Sequence, residues 1–151
     1  MERKPQMSGT TTETLRCDCG AIVMKVSGEP VARAICHCNA CRDLYGSDLL
    51  MATAWMPEQI EHHGDNVALL DYAHPVRDMH RYSCRRCGEL VHGRNRLGMV
   101  VIPNARFARH HDGRLPGRLM PTMHLFYASR VFDIVDDLPK YLEGWDGPLH
   151  A

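Results

Sequence analysis

The sequence predicts one mainly β domain with short helical turns, and three observations predict it. Short runs with strand-like alternation recur along the 151 residues, at the spacing of a sandwich or barrel-like β fold. Gly, Asp, Asn and Pro stand between the runs as turn chemistry. The length suits a single core, and no apolar run nears the roughly 20 residues of a membrane span.

Residues 1–13 open the chain as a polar stretch without the apolar segment of a secretory signal, so they read as a flexible tail and imply a cytoplasmic protein. The domain then occupies residues 14–151. The segment GAIVMKVSGE from Gly20 to Glu29 alternates before Pro30, and Val31 to Cys36 forms the next strand. Asn39 to Tyr45 follows as a turn or short helix. Further strands are expected at Leu49–Trp55, Gln59–His62, Val67–Asp71, His80–Ser83, Glu89–His92, Gly98–Ile102 and His124–Tyr127. Turns are expected at Gly64-Asp65-Asn66, Pro103-Asn104 and Asp112-Gly113, and single helical turns at Pro57–Gln59 and Leu138–Leu142.

Seven cysteines, an odd number, in a chain without an export signal argue for metal or thiol chemistry over a disulfide framework. They form three clusters: Cys17-Asp18-Cys19-Gly20, Cys36-His37-Cys38-Asn39-Ala40-Cys41 and Cys84-Arg85-Arg86-Cys87-Gly88. In the first and third, Gly directly follows the second Cys and admits the positive φ of a turn whose N–H groups point at sulfur. Cys41 is followed by Arg42 instead. The first and third clusters therefore pair as a four-thiolate site of Cys17, Cys19, Cys84 and Cys87, the coordination of structural zinc. Such an ion closes a long loop, and its binding free energy becomes folding free energy.

Cys36, Cys38 and Cys41 remain, three thiols within six residues. Three protein ligands and a vacant fourth position make a catalytic zinc site. Two other readings stay open: His37 or His124 closes the site as a second structural zinc, or the cysteines are buried or redox-active without metal. An iron–sulfur cluster would need an eighth Cys.

Net charge is zero and the isoelectric point is near 7.1, which excludes a surface dominated by an electrostatic footprint for nucleic acid. The charge is segregated. Residues 43–76 hold six acidic side chains and no Lys or Arg, whereas residues 77–118 hold ten Arg against Asp78, Glu89 and Asp112. Either these are solvated faces that compensate one another, or a basic rim attracts an anionic small molecule. His62, His63, His110 and His111 fall in expected loops as solvated side chains. His37, between two ligands in extended chain, faces away from the ion toward packing or a supporting hydrogen bond. Tyr45, Gly46 and Ser47 follow the second cluster closely enough to line its open side. Met51, Met56, Met99 and Met123 are expected to fill the core.

The order C-x-C-G, C-H-C-x-x-C, C-x-x-C-G, with Gly46-Ser47 after the second cluster and His124-Leu125-Phe126 followed by Asp136-Asp137-Leu138-Pro139-Lys140-Tyr141, resembles the glutathione-dependent formaldehyde-activating enzymes, also called the centromere protein V type domain. The resemblance runs from Leu15 to Leu142. It implies a β-tent fold of packed antiparallel sheets around a structural zinc at Cys17, Cys19, Cys84 and Cys87, with a second zinc at Cys36, Cys38 and Cys41. It implies a carbon–sulfur lyase resembling S-(hydroxymethyl)glutathione synthase, which adds a thiol such as glutathione to formaldehyde or a related small aldehyde. Residues 77–118 would then supply partners for the two glutathione carboxylates. Members of the family commonly carry Trp near the position of Phe132, a difference that concerns packing. The alternative is a non-catalytic zinc-binding module that binds a partner through its Arg-rich face. A homodimer is compatible with so small a domain, and neither membrane nor nucleic acid is an expected partner.

Overall fold

The computed structural model describes residues 11–151. The chain forms two sheets. Strands β1 (Thr12–Arg16), β2 (Ile22–Ser27) and β5 (Ile60–Gly64) make a three-stranded antiparallel sheet in the order β1-β2-β5. Strands β3 (Ala32–Cys36), β4 (Leu50–Trp55), β6 (Leu69–Ala73), β7 (His80–Cys84), β8 (Leu90–Arg94), β9 (Val100–Pro103) and β10 (Met123–Leu125) make a seven-stranded sheet in the order β10-β3-β4-β9-β8-β7-β6. Its pairs are antiparallel except β10, which runs parallel to β3. Helices α1 (Asn39–Tyr45) and α2 (Asn104–Arg109) are short, and among the described residues no helix is long and apolar enough to cross a membrane.

Alternation builds the core. On β2, Ile22, Met24 and Val26 are buried while Lys25 is exposed, so one face of the small sheet lies against the large one. Leu15, Met24, Val26 and Ile60 meet Trp55, Val100 and Ile102, with Phe107 of α2 and Leu119 completing the cluster. A second cluster sits under α1, where Ala40, Cys41 and Leu44 pack on Leu50, Ala52, Met79 and Val101. A third gathers Cys17, Ile22, Ala68, Cys84 and Val91.

Several elements differ from the sequence reading. The flexible tail assigned to residues 1–13 lies outside the described residues up to residue 10, and Thr12 and Glu13 belong to β1. That strand buries Leu15 alone and owes its existence to pairing with β2 from Thr12↔Ser27 to Arg16↔Val23. Pro103-Asn104 opens helix α2 instead of a plain turn, because extended Pro103 occupies the N-cap position and Phe107 anchors the helix in the core. The strand at His124 ends at Leu125, since Phe126 adopts φ 56° and the chain turns through Tyr127–Ser129. Leu138–Leu142 is not helical: Lys140 bridges His124 of β10, and Tyr141 bridges Leu149. Of the four methionines, Met123 is buried, Met99 lines a cavity, and Met51 and Met56 are exposed beyond the reach of the core clusters.

His62, His63, His110 and His111 are exposed as expected, although His62 and His63 lie on β5 and not in a loop, and the exposed rings still find partners. His111 Nε2 lies 2.7 Å from Glu13 Oε2, and His110 Nε2 accepts from the Arg16 N–H at 3.3 Å. His62 packs on buried His92 at 5.4 Å between ring centroids, and His92 stacks on Tyr82 at 4.5 Å. Burial first, then the neighbouring His62 and Arg106, push His92 from 6.5 down to about 3. The unfolded chain therefore takes up a proton that native His92 refuses, so its contribution to stability is intact above pH 6.5 and is lost as pH falls toward about 3. His92→Phe, which keeps the stacking and removes the titrating group, is expected to flatten the fall in melting temperature between pH 6.5 and about 3. Parallel slopes for the two proteins in thermal melts would refute the assignment.

Candidate metal centres

Two loops from opposite parts of the chain meet to bring the sulfurs of Cys17, Cys19, Cys84 and Cys87 within 4.8 Å of one another. Cys17 ends the run out of β1 and Cys84 ends β7, and the two pack together in the third core cluster. Each knuckle closes on a glycine: Gly20 N–H donates to the Cys17 carbonyl at 2.9 Å and Gly88 N–H to the Cys84 carbonyl at 2.8 Å. Both glycines have φ near 80°, and a Cβ at either would meet no atom within 4 Å, so backbone conformation, and not crowding, selects Gly there. The Ile22 N–H donates to Cys17 Sγ at 3.2 Å and the Arg86 N–H to Cys84 Sγ at 3.4 Å. The N–H groups of Glu89 and Cys19 pull the Cys87 thiol down to about 7.

This donor set fits zinc. Tetrahedral Zn–S bonds of about 2.3 Å place sulfurs about 3.8 Å apart, and Cys17 to Cys19 and Cys19 to Cys84 are each separated by 3.7 Å. Beside the cluster, Arg106 is buried with its guanidinium 3.4 Å from Glu89 Oε2, and Arg109 bridges Glu89 and Asp18 at 2.8 Å each.

Cys36, Cys38 and Cys41 form the second group. Cys36 ends β3, Cys38 is the N-cap of α1 with its sulfur accepting from the Cys41 N–H at 3.2 Å, and Cys41 lies in the first turn of α1. The Cys36 and Cys41 sulfurs are 3.5 Å apart. Contacts from the Cys36 and Cys41 thiols, helped by the Cys41 and Ala40 N–H groups, push Cys38 down to about 2, and the same Cys38 contact drives Cys36 up to about 12. Three sulfurs at metal-binding separation fit a zinc with one position left for another ligand.

Neither histidine joins the three sulfurs. His37 is fully buried on the opposite side, its Nε2 2.9 Å from His124 Nδ1; His124 Nε2 is 2.8 Å from Asp136 Oδ2. Lys140 Nζ donates to Asp136 Oδ1 at 2.7 Å, and this contact first, against burial and with help from His124, holds Asp136 down at about 2. Tyr127 packs edge-on against both rings. The chain His37–His124–Asp136–Lys140 thus braces the Cys36–Cys38 segment from behind. Residue alternation indicated which way His37 turns; the partnership of His124 with Asp136, 12 residues further on, has no local signal.

A cavity of about 390 Å³ opens over Cys36, Cys38 and Cys41. Tyr45 lines it, but Gly46 and Ser47 do not. Gly46 ends α1 with φ 69°, turning the chain away, and exposed Ser47 donates its hydroxyl to the Leu49 carbonyl at 2.7 Å. Gly93 of β8 lets the Tyr45 ring sit where it does: a Cβ there would fall 1.7 Å from Tyr45 Oη and 3.0 Å from the His80 carbonyl. Gly93→Ala is expected to displace Tyr45 and cost about 1–3 kcal/mol in thermal or denaturant unfolding, with Tyr45→Phe recovering part of the loss in the double variant. No recovery would mean that the His80 carbonyl, not the tyrosine, is the obstacle.

Most of the Arg-rich stretch is paired internally. Arg86 pairs with Asp65, Arg94 with Asp78, and Arg118 with Glu13 and Glu29. Arg81 donates to the Leu44 carbonyl and lies over the Tyr72 ring. Arg77 and Arg96 line the cavity and form no ion pair among the described residues.

Among known proteins, the sequence signature of the family described as glutathione-dependent formaldehyde-activating enzyme matches residues 12–129. A crystal structure of a Rhodobacter sphaeroides protein, a Northeast Structural Genomics target, superposes with a TM-score of 0.51 at 20% sequence identity, over 69% of this chain and 98% of that one. At that identity the likeness concerns the fold alone. No curated protein matches the chain at a significant level.

Proposed function

Because the chain belongs to the glutathione-dependent formaldehyde-activating enzyme family, we propose that it is a zinc-dependent carbon–sulfur lyase that joins a thiol such as glutathione to formaldehyde or a related small aldehyde. The observation that carries this reading is the placement of three sulfurs, without a fourth protein ligand among the described residues, at the end of a cavity large enough for a small molecule. Cys17, Cys19, Cys84 and Cys87 hold a structural zinc, and Cys36, Cys38 and Cys41 a catalytic one. Bound there, zinc supplies Lewis acidity, lowering the pKa of a thiol or polarising a carbonyl.

The protein's own groups bind and orient. The substrate sulfur forms its bond to the aldehyde carbon as the carbonyl π bond opens, and the thiol proton ends on the carbonyl oxygen, giving a hemithioacetal (the S-hydroxymethyl thiol where the aldehyde is formaldehyde) with no change in overall redox state. Tyr45 encloses one side of the cavity and limits water access. The His37–His124–Asp136–Lys140 chain keeps the cysteine loop in one geometry, as groups behind a metal centre do. The domain spans residues 14–151 together with β1 and works in the cytoplasm, as a monomer or homodimer.

Native mass spectrometry with and without glutathione tests the reading. Two zincs, one readily lost to a mild chelator, together with a glutathione adduct are expected. One tightly held zinc and no adduct would leave a structural module without this chemistry.

A further inference from the structure

The cavity owes its volume to the side chains on its floor. Strands β3 and β4 pair Ala32 with Ala54 and Ala34 with Ala52, and the same register continues to Cys36 opposite Leu50. Residues two apart on a strand share a face, so four methyl groups pave the approach to the Cys36 sulfur, and all four line the cavity. Leu97, Met99, Phe126 and Trp145 line it too, together with the polar side chains of Asn39, Thr53, Asn95 and Ser129. Leu97 is 71% exposed and Trp145 50% exposed at its edge. Apolar surface beside an apolar cavity gains about 25 cal/mol per Å² when a ligand removes it from water. Arg77 and Arg96 also line the cavity, and no acidic side chain does.

These features disfavour a peptide-like ligand. Glutathione brings two carboxylates, an ammonium and two peptide groups; Asn39, Asn95 and Ser129 can pair with part of the peptide backbone, but the ammonium finds no carboxylate in the lining, and peptide N–H and C=O groups laid on the alanine floor lose water without replacement. Resting on the thiol–aldehyde reading above, we infer that the cavity selects a thiol with an apolar body and one anionic end. Its sulfur reaches the three cysteines, its hydrocarbon lies on the floor of Ala32, Ala34, Ala52 and Ala54, and its carboxylate or sulfonate meets Arg77 and Arg96 as a charge-assisted pair.

Calorimetric titration of the metal-replete protein with 6-mercaptohexanoate, 6-mercaptohexanol and glutathione tests this. Mercaptohexanoate is expected to bind at least tenfold more tightly than either of the others. The Arg77→Ala/Arg96→Ala double variant is expected to bind mercaptohexanoate and mercaptohexanol alike. Ala34→Leu, or Ala52→Leu should the first fail to fold, is expected to weaken mercaptohexanoate at least tenfold while mass spectrometry shows both metal centres loaded. Glutathione binding as tightly as mercaptohexanoate would overturn the preference for an apolar body, and mercaptohexanol binding as tightly would overturn the anionic clamp. Formaldehyde consumption, followed with the same thiols, separates the two readings. Tight mercaptohexanoate binding without acceleration over the uncatalysed rate would sink the lyase and leave the cavity assignment standing; acceleration with glutathione but not with mercaptohexanoate would do the reverse.

Discussion

Cys84→Ser is expected to leave the protein insoluble, or folded with a melting temperature lower by about 10 °C or more. Cys84 is buried at the end of β7 and packs against Cys17, Ile22 and Val91, so its sulfur is at once a candidate ligand and part of a core cluster. Structural zinc contributes on the order of 10 kcal/mol in zinc-finger peptides, which rivals the roughly 5–15 kcal/mol that separates a folded domain from its unfolded chain. A serine oxygen replaces a thiolate poorly at such a centre, and the loop from Cys19 to Cys84 loses its clasp. Metal content measured beside the melt should drop by the tightly held ion. A soluble Cys84→Ser protein with unchanged metal content and unchanged melting temperature would refute the four-cysteine assignment.

Cys38→Ser is expected to behave in the opposite way, removing activity while sparing the fold. Cys38 is the N-cap of α1, and serine is among the best N-cap residues, so its hydroxyl can take the Cys41 N–H that sulfur accepts in the native protein. The stability change should stay within about 1 kcal/mol. One of the three candidate sulfur ligands is gone, however, and two sulfurs hold zinc weakly. Metal stoichiometry is expected to fall from two to one, and thiol–aldehyde addition to fall at least 100-fold, to the uncatalysed rate. An active Cys38→Ser protein carrying one zinc would show that the chemistry lies elsewhere.

Much of the chemistry was readable because it is local. A Cys-x-Cys-Gly or Cys-x-x-Cys-Gly knuckle is specified by a few adjacent residues, its glycine by backbone conformation and its sulfurs by turn geometry; Gly20 and Gly88 take the positive φ that the motif demands. The mainly β character was equally legible where alternation is strong, as in Ile22, Met24 and Val26 of β2. Elements that exist through their partners were not. β1 is a polar stretch with one buried leucine, and only β2 makes it a strand. Leu138–Leu142 has a helical spacing of apolar residues yet is not helical, with Lys140 bridged to His124 of β10.

The candidate site divides along the same line. By itself the sequence indicated which cysteines gather, how they partition into four and three, and which way His37 turns, because each follows from spacing within a few residues. Tertiary structure alone decided that His37 meets His124 and, through it, Asp136, and that Ser47 turns to solvent while Tyr45 faces the cavity. It decided, too, that Arg77 and Arg96 face the cavity without an ion pair among the described residues, while Arg86, Arg94 and Arg118 find carboxylates. The cavity itself is also a product of the fold. Four alanines are ordinary letters in a row of residues, and they become a floor only when antiparallel register sets Ala32 against Ala54 and Ala34 against Ala52, because empty volume belongs to the pairing of strands distant in the chain and not to any single strand.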